Sequence, residues 1–388
     1  MCTLQRVINL LKKVNSEIRA YVVCLLLTAG KKNCAEMART VGLHANFLYK
    51  FLSNSATHSK EIEEELFRFA KITRDKRFKR TLVIDPTAII KRYAEQIEKL
   101  CYDKDGCTKH VEKVIVPVCA SVVDERVKIP LAIDFWIQRK ARGNRRYRSK
   151  VEIAQELISY LTKQGIEYDF ASLDGAFPSP DMFDFFAAEN TKKSFTMRIP
   201  RSRAVTLANG KRMQLQRVPE LKLLRNAREK TIEAELYDRR YYFTAHKRKK
   251  RGGGWETVFL VSNMDLTAKQ QVEAFNLRWP QEKINRTSKQ KFGMHQCQAL
   301  AASKQKAHIM AGYLGQAIIE LAKFDKQEQS TDEIINFLRR NHFDDLATLI
   351  RKPVKKQKPL RHDYIDFSSQ NYVQIFHNNA GESNVFMM

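Results

Sequence analysis

Two short apolar runs that each stop on an aspartate restrict this chain more than any other feature. TLVID ends at Asp85 and YDFASLD ends at Asp174. Both are β-branched or apolar, short, and read as buried strands. Between them lie two more strand candidates, VIVPVCASVV from Val114 and IPLAIDFWI from Ile129. Pro117 interrupts the first and is expected to mark an edge or a bulge. The helix VEIAQELISYLTK follows, with Ile153, Leu157 and Leu161 on a face suited to packing on a sheet. Ser149 and Glu152 form a capping box at its start. FTMRIP and ETVFLVSN supply further core strands. The alternation implies an α/β fold, a mixed sheet flanked by helices. An acid at the carboxyl end of a strand is where open α/β sheets place their chemistry. The plainer reading makes Asp85 the cap of a helix starting at Pro86, and Asp174 a turn residue before Gly175.

A third acid stands in FNLRWPQEKINRTSKQKFG, Phe275 to Gly293. Glu282 follows Arg278 by four residues and precedes Lys289 by seven, so an unbroken helix puts all three on one face. A carboxylate between two cations suits a metal and the phosphates it bridges; a solvated face with intrahelical ion pairs is the bland alternative. Pro280 either kinks the helix at Trp279 or sits in the first turn of a new one.

The net charge is +26, from 69 basic against 43 acidic residues spread along the chain. Such a field favours a polyanion, DNA or RNA, over an anionic membrane surface. No segment reaches the ~18–20 apolar residues that span a bilayer. The longest run, Tyr21 to Ala29, reads as a buried helix, and the charged N-terminus lacks a secretory pattern. Seven cysteines, an odd number without framework spacing, suggest a reducing compartment. Cys101, Cys107 and His110 read as part of a polar hairpin rather than a zinc site.

Residues 1–75 are expected to be helical and to bind DNA. In NCAEMARTVGLHANFLYKFLSN, Ala38 sits where two helices touch, Gly42 in the turn, and Leu48 and Phe51 as anchors. That is the arrangement of a helix-turn-helix, with Asn46, Tyr49 and Lys50 towards DNA, though a plain helical hairpin fits as well. A basic loop runs from Arg139 to Lys150 and includes Arg145 and Arg146; seven cations there without a matching acid await a polyanion. Residues 201–255 read as a β-rich insertion ending in KRKKRGGGW. Trp255 could stack on an exposed base, but the commoner place for a strand tryptophan is the core. HIMAGYLGQAIIELAKF reads as an amphipathic helix on the sheet. Residues 325–388 read as a basic segment and tail, disordered over the last dozen residues.

Phe275, Arg278, Glu282 and Lys289 resemble the Tyr-(2)-Arg-(3)-Glu-(6)-Lys signature of DDE-type transposases of the bacterial insertion-sequence class. Trp279 after the arginine fits too; Phe275 replaces the tyrosine, Gln281 stands where an apolar residue is common, and Gly175 where many members have Arg or Ser. The resemblance covers Leu82 to Phe324. It implies an RNase H-like core in two parts, 81–200 and 256–324. It also implies Asp85, Asp174 and Glu282 as catalytic metal ligands for Mg²⁺ or Mn²⁺, with Arg278, Lys289 and more weakly Lys91 on phosphates. The expected partner is DNA, the element's terminal repeats and its target, engaged by a homodimer in the bacterial cytoplasm at the nucleoid. The other readings are a decayed copy acting as a DNA-binding repressor, or an RNase H-like nuclease without strand transfer.

Overall fold

The computed structural model describes residues 3–104, 110–139, 147–188, 193–223, 227–250, 253–323 and 330–351. Arg145, Arg146, Cys107 and the basic tail from residue 352 onward lie outside the described residues.

Residues 3–72 form helices and short connections. α1 (Thr3–Lys12) buries Val7 and Leu11, and α2 (Ser16–Leu27), capped by Asn15, is buried along most of its length. α3 (Cys34–Val41) and α4 (Ala45–Ser53) meet at Gly42, whose φ of +70° is the left-handed turn that glycine adopts without strain. Ala38, Leu48 and Phe51 are buried at that junction, as their spacing predicts. α5 (Ser55–Ile72) leads to the sheet.

Five strands and a helix come next: β1 (Thr81–Pro86), β2 (Ile89–Ile90), β3 (Cys101–Lys104), β4 (Val111–Val123), β5 (Lys128–Trp136), then α6 (Lys150–Lys163) with both halves of its predicted capping box formed. β6 (Phe170–Leu173), α7 (Pro180–Ala187) and β7 (Ser194–Ile199) complete the first part of the core. The insertion supplies β8 (Ala204–Thr206), β9 (Arg212–Gln214), β10 (Glu229–Leu236) and β11 (Arg239–Lys249), and β12 (Trp255–Ser262) returns to the core beside β7. The helices α8 (Ala268–Asn276), α9 (Trp279–Gln290), α10 (Ala302–Ala322), α11 (Thr331–Asn341) and α12 (Phe343–Thr348) close the described chain.

The twelve strands of the described residues belong to one mixed sheet, ordered β2-β4-β1-β6-β7-β12-β11-β10-β8-β9, with β3 and β5 also paired to β4. β1, β6 and β7 run parallel; β4 and β12 flank them antiparallel. This is the α/β architecture of an RNase H-like fold, and the β-rich insertion continues the core sheet. Along β12, Val258 and Leu260 pack with Val272 and Phe275 of α8, while the alternate residues Phe259 and Val261 join the main core. The sheet is thus covered on both faces at this point.

Two expectations need correcting. β4 is paired on both sides, so Pro117 does not mark an edge; the irregularity in its pairing with β5 lies at Ala120/Ser121. The Pro117 carbonyl accepts from the Thr87 N–H, so the missing N–H faces the gap where β1 ends and β2 begins, where the ladder is already interrupted. Second, α10 is not amphipathic. It is buried on all sides, from Gln305 to Ala322, against α5, α2, α1 and β5. One hydrophobic cluster runs through the N-terminal helices, the sheet and α10, and residues 1–351 form one unit. α11 and α12, absent from the sequence reading, bury Ile334, Ile335, Leu338 and Leu346 and pack on α10 and α2.

Candidate active site

The register of β1 and β6 decides where the first two acids stand. Ile84 pairs with Leu173 in parallel, so Asp85 and Asp174 both come one residue later, side by side at the carboxyl ends of adjacent strands. The third acid arrives from α9. Pro280 sits in the first turn of that helix, so the chain breaks between α8 and α9 instead of kinking within one helix. Glu282 therefore lies in the first turn, where the helix N-terminus favours a carboxylate.

α9 is fixed by a row of buried polar side chains. Gln281 is fully buried; its Oε1 accepts from the Ser121 hydroxyl of β4, and its Nε2 donates to Asn285 at 3.1 Å. Ser288 donates to Gln316 of α10 at 3.0 Å. The polar residue at position 281 thus has a polar partner across the core, in Ser121. No local sequence signal announces that partner, which is 160 residues away.

Arg278, at the junction of α8 and α9, holds the three acids together. Its Nη1 lies 3.1 Å from Asp85, and its Nη2 lies 3.3 Å from Glu282 and 3.9 Å from Asp174. Its guanidinium carbon is 5.4 Å from the Phe275 ring centroid and 5.9 Å from that of Trp279. Phe275 itself, on α8, is buried against β12, so the ring contributes a face to the arginine. The acids grade outward: the side chains of Asp85, Asp174 and Glu282 are 11%, 36% and 41% exposed. Burial raises the Asp85 carboxyl to about 7; Arg278 pulls it down, and Asp174 and Glu282 add to the rise.

The two lysines expected on phosphates have protein partners. Lys289 donates to the Thr87 hydroxyl and the Ala88 carbonyl, both at 2.9 Å, and so ties α9 to the segment following Asp85. Lys91 is buried and donates to the carbonyls of His295, at 2.8 Å, and Cys297, at 2.5 Å. The phosphate expectation for Lys91 is corrected accordingly: its ammonium pins the α9–α10 connection. Of the basic loop, Arg148 pairs with Asp134 and Glu156, and Lys150 with Asp103, so these two cations do find acids. Asn46, Tyr49 and Lys50 lie on the exposed side of α4.

An open cleft of about 960 Å³ runs from Asp174 along the insertion. Arg198, Arg201, Lys222, Lys250 and Trp255 line it. Trp255 is 62% exposed, which overturns its expected place in the core: it begins β12 beside the turn of the β11–β12 hairpin, opposite Lys249. The sequence reading picked out Lys250 within its basic run, but gave no sign of Arg198, Arg201 and Lys222, which only the fold gathers.

Carboxylates are hard oxygen donors of the kind that divalent Mg²⁺ prefers. Their spacing, however, is set by a guanidinium: among the described residues no group of three or more His, Cys, Asp or Glu side chains is placed to hold a metal ion. No helix among the described residues is long and apolar enough to cross a membrane.

Residues 9–245 match a family model described as DDE superfamily endonuclease. The matched span contains Asp85 and Asp174 and ends before Glu282, whose place beside them rests on the geometry of α9. No curated protein matches the chain. The family match extends over more than half of the sequence, and by it this chain belongs to the DDE superfamily of endonucleases.

Proposed function

We propose that the chain is the transposase of a bacterial insertion sequence, cutting DNA at the element's ends and joining the freed strand to a target. The observation that carries this reading is the meeting of Asp85, Asp174 and Glu282, from three distant parts of the chain, around one arginine at the open end of two parallel strands. In the first step a water oxygen bonds to phosphorus at the element's end, its proton passes to solvent, and the 3′-oxygen leaves as a hydroxyl. In the second, that 3′-hydroxyl attacks a target phosphodiester and displaces the target's 3′-oxygen. The three acids would hold Mg²⁺ or Mn²⁺, which when bound supplies Lewis-acid activation of the entering oxygen and charge neutralisation on the leaving one. Arg278 and Lys289 would lie nearest the reacting phosphate. Tyr49 and Lys50 would contact the terminal repeat, and the basic cleft would take the adjoining strand, with the exposed Trp255 offering a stacking face to a base. Two ends must be joined at once, which calls for a homodimer.

Purified protein, labelled duplex carrying the element's ends, target DNA and Mg²⁺ test the proposal. The expected result is nicking followed by joined product, both abolished in Asp85→Asn, Asp174→Asn and Glu282→Gln. Nicking without joined product leaves a nuclease; binding without nicking leaves a repressor.

A further inference from the structure

The central cation of the site is part of the protein. A single guanidinium lies within ion-pairing distance of all three carboxylates, and those carboxylates are not placed to share a metal ion. Three acids converging at one end of a sheet repel one another unless a positive charge stands among them. Arg278 provides that charge, and its fork makes separate contacts with different acids through two nitrogens.

We infer that Arg278 is a resident counter-cation that keeps the acid cluster assembled before a divalent ion arrives, and that it must leave the acids for such an ion to bind. The inference rests on the reading of Asp85, Asp174 and Glu282 as metal ligands, and it adds a role for this arginine as a positioning residue with two stations. Two observations support a side chain able to leave. Its Nε is buried with no hydrogen-bond partner in the present position, so the docked guanidinium is incompletely satisfied. The guanidinium is also within 6 Å of two rings, the buried Phe275 and the 40% exposed Trp279, so an aromatic surface that can hold a cation extends from the docked position to solvent. There it would meet the phosphate side of a bound strand.

Competition has a signature opposite to that of an ordinary supporting residue. If Arg278 merely orders the acids, removing it weakens metal binding. If it occupies the ion's place, removing it strengthens metal binding even as DNA cleavage falls. Calorimetric titration of the DNA-free full-length chain with Mn²⁺ reads this directly. Arg278→Gln is expected to bind at least tenfold more tightly than the wild type, and Arg278→Lys, which keeps a charge but lacks the fork, to fall between them. Equal or weaker binding in a folded Arg278→Gln overturns the inference.

A second measurement uses the wild type alone and so does not depend on the variant folding. Phenylglyoxal labelling at Arg278, followed by mass spectrometry, is expected to rise severalfold on adding Mg²⁺; labelling that stays constant while Mg²⁺ binds overturns the inference. Its fate is separable from that of the transposase reading. A chain that nicks no DNA but exposes Arg278 on Mg²⁺ binding keeps this inference and loses the other. A chain that nicks DNA with Arg278 shielded throughout does the reverse.

Discussion

The positive charges around the acids and those around the insertion face opposite ways. Near β1 and α9 they are turned inward. Arg80, 1% exposed, donates to Asp124 at 2.6 and 2.9 Å and to the carbonyls of Ala70 and Thr73, fastening the end of α5 to the start of the strand that carries Asp85. Lys32, Lys91 and Arg278 are buried as well, each on protein oxygens. Along the cleft beside the insertion, Arg201, Lys222 and Lys250 are exposed. Basic residues that look alike in composition therefore divide into those that build the site and those that face what enters it.

Substitutions at matched positions can break this division. The largest effect is expected at Arg80. Arg80→Ala leaves Asp124 buried without its partner and should lower stability by about 3–5 kcal/mol in chemical denaturation. Lys222→Ala should change it by less than ~0.5 kcal/mol. Equal losses at the two positions would erase the distinction. A smaller effect is expected at Trp255, where replacement by Ala should leave the melting temperature unchanged. It should weaken binding of a single-stranded oligonucleotide by roughly 1–3 kcal/mol, measured by fluorescence anisotropy, if a base stacks there. A drop in melting temperature with unchanged affinity would return this tryptophan to a structural role.

A further effect is one of pH. Burial lowers the Lys32 ammonium to about 7, with the nearby Arg339 and Lys291 adding to the shift. Its ordinary value is 10.5, so between about 7 and 10 the unfolded chain holds a proton that the folded chain has lost. Stability from this group accordingly rises with pH across that window and is flat below it. The stability of the wild type relative to Lys32→Met should climb from pH 7 to pH 10 in paired denaturation curves. A level difference would mean that the burial of Lys32 has no energetic consequence.

What could be read from the chain beforehand was what depends on neighbours in sequence. The strands ending at Asp85 and Asp174 announce themselves by short β-branched runs and the capping box by Ser149 and Glu152, while Pro280 announces a break in the helical pattern but not whether it is a kink or a new start. The acids could be located in this way, but their common partner could not. Arg278 is four residues from Glu282 but nearly two hundred from Asp85, and only the parallel register of β1 and β6 brings Asp85 within its reach. The exposure of Trp255 and the pairing of Ser121 with Gln281 depend in the same way on which strand or helix lies opposite. α10 escaped correct description because its sequence mixes polar with apolar residues. Gln305, His308, Gln316 and Glu320 are nevertheless all buried on it, each with a hydrogen bond.

The inward-facing lysines and arginines bear on how tightly such a chain can grip a nucleic acid. Affinity for a phosphate backbone grows with the number of condensed counterions set free on docking, and only side chains that reach the duplex release them. Arg80, Lys91 and Lys32 are shut away and contribute nothing to that release. The slope of log affinity against log ionic strength is therefore set by the cations that reach the strand and not by the net charge of +26.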